Sequence, residues 1–381
     1  MVTAGREPEL GPLLGWLRAG RAAAERIDFP VGTALPDGRL DLCKQQLGPD
    51  GARLVAEALR PRAADGTPGP VRHLLLGTDG LGDEGAAAVT ARVLVADVST
   101  LYLGCNGITT GGACRIADQL RASPQAVRAL WLKRNPLGDA AGDLVRAASE
   151  LRTLDLVQTG LTPAALAELT DALLATDRPP LERLYLGGNP LGPEGAEQVA
   201  RLVAAGAVGE LYLSAAGLGD RGTGALTAAL RSAPYGRLTR LSVASSGIGP
   251  TALAELVTAA AGAGVELLDL GRVRAAAHLG APDNRLDETA ATAIGSALSG
   301  AAHRLRHLVL SNTGLRSRAA HRLLDAAPAA ATATRYVLGK GVATTVRRRL
   351  DALSAHLPPP ALPADVAAVI SVHRTAPPTA S

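Results

Sequence analysis

Four of the eight aromatic residues in this 381-residue sequence occupy matching positions in short, similar segments. Tyr102, Trp131, Tyr185 and Tyr212 each stand between two leucines in a Leu-x-Leu pattern. Random placement would put fewer than one aromatic residue at the eleven equivalent positions of the chain. Flat rings bury much area at low entropic cost and are enriched where proteins bind partners. These aligned aromatic residues, named here the aromatic column, therefore predict a stripe of rings that binds a partner. The alternative is that tyrosine simply tolerates strands.

Acidic residues share this position, but they lack the partners that catalysis would need. Asp155 and Asp269 also stand between two apolar residues of such segments, each an isolated carboxylate. The sequence has no Gly-rich loop followed by Lys-Ser or Lys-Thr, and no G-x-S-x-G motif. We therefore expect a protein that is not an enzyme and uses no cofactor, although a hydrolase based on Asp155 or Asp269 is a third possibility.

Basic residues flank the aromatic column. Lys133 and Arg134 follow Trp131 closely, Arg183 precedes Tyr185, and Arg272 opens an inserted loop. Such margins predict a partner that carries acidic groups. The net charge of +4 gives no reason to expect a nucleic-acid ligand.

The inserted loop runs from Arg272 to Asp283 in the sequence RVRAAAHLGAPD. Loops at the rim of a sheet often carry function, which makes Arg272, Arg274 and His278 candidates. The alternative is a tolerated surface insertion.

The three cysteines are too few and too far apart to form a disulfide framework. Cys43 and Cys105 would lie two strands apart, with His73 on the strand between them. A metal site from these three residues is conceivable, but we expect none.

The elements that position these residues are repeats. The pattern apolar-x-x-Leu-x-Leu-x-x-Asn-x-apolar recurs every 24 to 30 residues, about 11 times in all. Clear copies include VRHLLLGTDGL, VSTLYLGCNGI, VRALWLKRNPL and LERLYLGGNPL. The Leu-x-Leu alternation predicts a strand, and a Gly-rich turn follows it. An Ala- and Leu-rich helix completes the unit, as in PAALAELTDALL, where Leu166, Leu169 and Leu173 share one face. Stacked units would form one parallel sheet covered by helices.

Repeats of about 28 residues with full helices and an NxL-G ending resemble the ribonuclease-inhibitor-like class of leucine-rich repeats, over residues 37–345 and in a bacterial type of sequence. The resemblance implies an α/β leucine-rich-repeat solenoid, a horseshoe with parallel strands on the concave face and helices on the convex face. It also implies that Asn106, Asn135, Asn189 and Asn284 bond backbone groups of the neighbouring turn. Other residues interrupt this ladder: Asp79, Thr159, Ala216, Ser246 and Thr313.

The predicted function follows from the column and the resemblance together. We expect a non-enzymatic scaffold that holds a protein or peptide on its concave face. The alternative is a regulator of another enzyme, of the GTPase-activating or inhibitor-like kind, which rests on fold analogy alone.

Three regions are predicted along the chain. Residues 1–36 hold a capping helix at 9–26, residues 37–356 hold the repeats, and residues 357–381 form a Pro-rich tail. We expect the tail to be disordered, although VAAVI is apolar enough for a docked strip. A Pro/Gly-rich loop is predicted near Arg60. No signal peptide or apolar membrane-spanning run is evident, so a cytoplasmic monomer that binds no membrane is expected.

Overall fold

The computed structural model describes residues 7–61, 69–175 and 178–373. The chain divides into two compact units. The first unit comprises residues 1–160 together with 362–381, and the second comprises residues 161–361. Most of the loop predicted near Arg60 lies outside the described residues, as does the tail beyond His373.

Short strands and helices alternate along the described chain. The strands are β1 (Ile27–Phe29), β2 (Gly32–Ala34), β3 (Arg39–Asp41), β4 (His73–Leu75), β5 (Thr100–Tyr102), β6 (Ala129–Trp131), β7 (Thr153–Asp155), β8 (Leu181–Tyr185), β9 (Val208–Tyr212), β10 (Arg240–Ser242), β11 (Leu267–Asp269), β12 (His307–Val309) and β13 (Arg335–Val337). The helices are α1 (Glu7–Ala19), α2 (Gly48–Ala58), α3 (Gly82–Val93), α4 (Thr110–Ala122), α5 (Ala141–Ala147), α6 (Pro163–Leu174), α7 (Gly192–Ala204), α8 (Gly219–Ser232), α9 (Pro250–Gly262), α10 (Glu288–Gly300), α11 (Ser317–Ala326), α12 (Thr344–Leu353) and α13 (Ala364–Ala367).

Each unit is an open sheet with helices packed beside one another. In the first unit β3 to β7 pair in parallel and in chain order. In the second unit β8 to β13 do the same. Consecutive helices pack together, as α2 does with α3 and α7 with α8. This is the α/β leucine-rich-repeat solenoid that the repeats predict.

The core lies between strands and helices and consists largely of leucine. In most strands the leucines on both sides of the outward residue are buried, for example Leu184 and Leu186 around Tyr185. The predicted helical face is confirmed, since Leu166, Leu169 and Leu173 of α6 are all buried. Among the described residues no helix is both long and apolar enough to cross a membrane.

The first unit begins with a cap that the sequence predicts only in part. Helix α1 buries Leu13 and Leu17 fully, but it ends at Ala19, before the end of the helix predicted at 9–26, because Gly20 adopts a left-handed conformation with φ 67°. An antiparallel hairpin of β1 and β2 follows, and β2 pairs with β3. This hairpin was not predicted.

Buried asparagines connect successive turns as the family resemblance implies. Asn135 accepts hydrogen bonds at Oδ1 from the amides of Asn106 and Ile108, at 2.8 and 3.1 Å. Its amide nitrogen donates to the carbonyls of Leu103 and Leu132. One side chain thus satisfies backbone groups of two adjacent repeats, none of which water can reach.

Asp79 occupies one ladder position in place of asparagine. Its Oδ1 accepts from the amide of Gln45 at 2.6 Å, so the link to the preceding turn is kept. Burial raises the pKa of Asp79 to about 7, against hydrogen bonds from the amides of Gln45, Gln46 and Leu47. An ionised carboxylate cannot donate to carbonyls as an asparagine amide does. The ladder is therefore weakened here rather than broken.

The core assignment predicts the effect of a charge at Leu186. Leu186→Asp removes roughly 1.5–3 kcal/mol of hydrophobic burial and adds the cost of an unpaired buried carboxylate. We expect a loss of at least about 3 kcal/mol in the free energy of unfolding, measured by chemical denaturation. Val337→Asp, at a position 42% exposed, is the matched control and should change little. Equal effects of the two substitutions would remove Leu186 from the core.

The raised pKa of Asp79 predicts a pH-dependent gain from Asp79→Asn. Because its pKa is raised, Asp79 holds its proton more tightly in the folded state than in the unfolded state. The free energy of unfolding therefore decreases as pH rises from about 4, where the unfolded state ionises, to about 7, where the folded state ionises. Asp79→Asn should therefore raise the free energy of unfolding by about 1–3 kcal/mol at pH 8 and by almost nothing at pH 4. Denaturant titrations at both pH values measure this. Asp118→Asn, whose side chain is 71% exposed, is the control, and a pH-independent gain for Asp79→Asn would contradict the explanation.

Candidate functional site

The strands present two columns of side chains on the face opposite to the core. Because side chains alternate along a strand, the residues on either side of the central core residue point to the same open face. In the first unit this open face comprises Arg39, His73, Thr100, Ala129 and Thr153 in one column and Asp41, Leu75, Tyr102, Trp131 and Asp155 in the other. In the second unit it comprises Arg183, Glu210, Arg240, Leu267, His307 and Arg335 beside Tyr185, Tyr212, Ser242, Asp269, Val309 and Val337. The predicted register of the aromatic column is confirmed within each unit.

On the first unit's face Tyr102 and Trp131 are neighbours. Their ring centroids are 6.5 Å apart, and the rings are tilted by 40°. The ammonium of Lys133 lies 5.3 Å from the Tyr102 centroid, within range of a cation–π interaction. Gly77 makes room for the phenol ring, since a Cβ there would lie 2.3 Å from Cε1 of Tyr102. Burial alone would lower the pKa of Lys133, but Tyr102 and Asp155 outweigh it and the pKa is raised.

Trp131 and Asp155 do not have the exposure that a partner anchor requires. Trp131 is 5% exposed and Asp155 is 3% exposed, although both point away from the leucine core. Burial raises the pKa of Asp155 to about 6, against the hydrogen bond from the Val157 amide and the charge of Lys133. Because the Trp131 ring is packed, we expect its truncation to lower stability.

Arg134 lies on the turn after β6 rather than on the open face. Its backbone is left-handed, with φ 56°, and its side chain is exposed. Its Nε donates to Oε1 of Gln158 on the next turn at 2.8 Å. Arg134 therefore belongs to the turn edge of the sheet and does not border Trp131 on the face.

On the second unit's face Tyr185 and Tyr212 form a stacked pair. The ring centroids are 4.4 Å apart, and the planes differ by 7°. Both side chains are half-buried. Adjacent parallel strands are about 4.8 Å apart, so equivalent residues of β8 and β9 stack without distortion of the backbone. The pair offers a flat, accessible aromatic surface.

A charged cluster adjoins the tyrosine pair. Glu210 accepts a hydrogen bond from the Tyr212 hydroxyl at 2.8 Å. It also lies 3.3 Å from Nε of Arg183 and 3.6 Å from Nε of Arg240. Arg183 contacts Glu182 as well, at 3.2 Å. The positive charge predicted at Arg183 is thus partly neutralised by two carboxylates of the same sheet, those of Glu182 and Glu210.

The remaining predicted site residues of the second unit lie around the inserted loop. Asp269 accepts hydrogen bonds from the Gly271 amide at 2.9 Å and the Ser242 hydroxyl at 3.1 Å. Burial raises the pKa of Asp269 despite these bonds. Arg272 lies 3.3 Å from Asp283, so the two ends of the insertion are held together. Arg274 and His278 are exposed.

Residues 362–373, named here the C-terminal segment, dock on the first unit's open face. Oδ2 of Asp41 accepts hydrogen bonds from the hydroxyl of Ser371 at 2.9 Å and from the amides of Val372 and His373. Arg39 donates to the carbonyl of Ile370 at 2.8 Å. The expected disorder of the tail is therefore wrong up to His373, where the docked-strip alternative applies.

The other end of the C-terminal segment contacts β7. The hydroxyl of Thr153 donates to Oδ2 of Asp365 at 2.6 Å. Between the contacts at β3 and β7 lie β4, β5 and β6, which carry Leu75, Tyr102 and Trp131. The segment therefore spans the part of the face that contains the first unit's aromatic pair.

Burial differs sharply between the two open faces. In the first unit eight of the ten face residues are buried, Leu75 completely, and only His73 and Tyr102 are half-buried. In the second unit only Glu210, Ser242 and His307 of the twelve face residues are buried. A leucine on the outward side of a sheet loses all contact with water only when other atoms cover it. The contacts of the C-terminal segment at β3 and β7 lie on either side of this leucine.

The sequence interpretation missed Asp41, Thr153, Glu210 and Arg240 as site residues. The same alternation that identified the aromatic column predicts that the first residue of each strand also faces outward. Reading that second column would have placed Glu210 between Arg183 and Arg240. Contacts with residues far along the chain, such as Asp365, carry no comparable local signal.

Cys43, His73 and Cys105, the residues considered for a metal site, do not form one in this structure. Cys43 is buried and Cys105 is half-buried, and burial raises the pKa of the Cys43 thiol to about 12. His73 instead hydrogen-bonds the hydroxyl of Thr100 at 2.9 Å. Among the described residues no group of three His, Cys, Asp or Glu side chains is arranged to hold a metal ion.

Comparison with known proteins matches one of the repeating segments to a family model. A family model described as "Leucine Rich repeat" matches residues 179–200, which contain β8 and the first part of α7. No curated protein matches the sequence. One similar solved structure is the leucine-rich repeat-containing protein LegL7 from Legionella pneumophila, with 17% identity, a TM-score of 0.47, and coverage of 84% of this chain and 92% of that chain. Another is the Rad7 and Elc1 complex in yeast, with 15% identity, a TM-score of 0.44, and coverage of 77% and 76%. The segment that contains β8 and the start of α7 is therefore similar to a leucine-rich repeat.

The charged cluster predicts how Tyr212 titrates. Burial and the adjacent Glu210 carboxylate both raise the pKa of Tyr212, while Arg240 lowers it. Glu210→Gln keeps the acceptor oxygen and removes the charge, so the Tyr212 pKa should fall towards its ordinary value. Absorbance titration at alkaline pH measures tyrosinate formation, with Tyr212→Phe in each background to isolate this residue. An unchanged Tyr212 titration would mean that burial alone sets its pKa.

Proposed function

We propose that this protein is a non-enzymatic scaffold that binds a protein or peptide on the open face of its sheet. The observation that carries the proposal is the stacked pair of Tyr185 and Tyr212, accessible on the second unit's face. Rigid aromatic surfaces contribute strongly to binding because their rings lose few rotamers when a partner covers them. We also infer the ribonuclease-inhibitor-like type of repeat, which is supported by the full helix in most units.

The surroundings of the pair favour a partner that combines an apolar side chain with a carboxylate. An apolar group would cover the stacked rings. A carboxylate would engage Arg183 or Arg240, which share Glu210 between them. The Arg240 guanidinium has five N–H donors, and its contacts with Glu210 and the carbonyl of Ala361 use only some of them, so it can also bind a second anion. The partner therefore resembles an acidic peptide rather than a polyanion.

A displayed library of random peptides, selected on the full chain, tests this proposal. We expect the selected peptides to be enriched in Asp or Glu next to an apolar residue, and their binding to weaken as salt screens the charges. Tyr185→Ala with Tyr212→Ala should reduce their affinity at least tenfold, the loss expected when interface anchors are truncated.

The matched control is Tyr235→Ala, which removes a tyrosine of the same unit that is 64% exposed and lies off the strands. It should leave peptide binding unchanged. Thermal melting of all variants separates lost binding from lost folding. Undiminished binding to a folded Tyr185→Ala/Tyr212→Ala variant would show that the tyrosine pair is not the site.

A further inference from the structure

The C-terminal segment contacts the first unit's face as a bound peptide would. Its two ends use polar contacts, and the residues between them are mainly apolar, in the sequence VAAVI. Ala368 is 4% exposed, and Val366 and Val369 are half-buried. The contacts at Asp41 include two backbone amides, so that part of the recognition does not depend on side-chain identity.

The two polar anchors have complementary chemistry. At one end a single oxygen of the Asp41 carboxylate accepts from the Ser371 hydroxyl and from the consecutive amides of Val372 and His373, so the backbone there turns both N–H groups to one side. At the other end the Thr153 hydroxyl donates to the carboxylate of Asp365. Four strand spacings of about 4.8 Å separate β3 from β7, or about 19 Å. The C-terminal segment crosses this distance as the short helix α13 and the turn after it, which extends to Ile370, followed by Ser371, Val372 and His373 at β3.

From these contacts we propose that the first unit's open face is a second peptide-binding site, distinct from the tyrosine pair, and that the C-terminal segment is its built-in occupant. The external partner it fits is a short apolar peptide that has an acidic residue in a helical turn towards its amino end and presents two consecutive backbone amides near its carboxyl end. Such a peptide must displace the C-terminal segment, whose attachment to the same chain gives it an effective concentration of the order of millimolar. The site therefore responds only to a partner that binds more tightly or is locally concentrated.

The probe for this proposal is a fluorescent synthetic peptide with the sequence of residues 362–373, LPADVAAVISVH. The receptor is the full-length chain carrying Asp365→Ala and Val372→Pro, named the release variant. These substitutions remove the carboxylate on Thr153 and one amide donor to Asp41, and they leave the face itself intact. Fluorescence anisotropy should show at least tenfold tighter binding of the peptide to the release variant than to wild type. Equal binding to both proteins would overturn the proposal.

A double-mutant comparison locates the bound peptide. Thr153→Val in the release variant should weaken the wild-type peptide several-fold but should have little effect on a peptide carrying Asp365→Ala, because both changes remove the same hydrogen bond. Independent, additive effects of the two changes would place the peptide elsewhere and overturn the assignment. Tyr185→Ala/Tyr212→Ala should leave binding of this peptide unchanged. The experiment therefore tests the first unit's site separately from the proposed partner site at Tyr185 and Tyr212.

A second measurement does not depend on added peptide. Trp16→Phe leaves Trp131 as the single tryptophan of the chain. Combining it with the release substitutions should raise acrylamide quenching of Trp131 fluorescence, since the ring is 5% exposed beneath the docked segment's span. Circular dichroism should show unchanged helix content. Quenching equal to that of Trp16→Phe alone in a folded protein would mean that the segment does not cover Trp131, and the proposal would be wrong.

Discussion

Each repeat depends on its neighbours to satisfy its backbone hydrogen-bonding groups. The strands have only three to five residues, and several turns after a strand direct N–H groups at the carbonyls of the next turn, as Lys44 does with Gly77 and Thr78 with Gly104. Buried amides such as that of Asn135 fill the gaps that these bonds leave. A repeat that shifted by one residue would bury unpaired polar groups and turn its leucines to water. The fixed register of the open face is a consequence of this requirement.

The same requirement explains why so much of the fold could be predicted from sequence. Alternation and the positions of the turns are local, so the strands, the core leucines and the aromatic column follow from spacing alone. The ion pairs of Glu210 could also be predicted from the alternation, but only if the first residue of each strand is assigned to the open face as well. The hairpin before β3 and the docking of Ser371 on Asp41 could not be predicted from this alternation. Neither feature repeats, and contacts across 330 residues leave no periodic signal.

The two units use similar faces in different ways. Where the C-terminal segment lies, outward residues as different as Leu75, Asp155 and Trp131 are buried, and the carboxyl pKa of Asp155 is raised. Where no such segment lies among the described residues, Tyr185 and Tyr212 remain accessible and their charged neighbours balance one another. The column position alone therefore does not decide whether a ring is available to a partner. What covers the sheet decides it, and this explains why the identity of Trp131 suggested an exposed anchor that the fold does not provide.

Because the first unit is composed of two distant parts of the chain, these parts are synthesised at different times. Residues up to 160 leave the ribosome long before residues 362–373, which complete the same unit. At translation rates of about 5–20 residues per second, the intervening chain takes roughly ten to forty seconds to make. During that interval the first unit's sheet is uncovered, with Leu75 and Trp131 open to water and to any apolar peptide nearby. A nascent chain thus presents a surface on which the C-terminal segment docks only after its own synthesis.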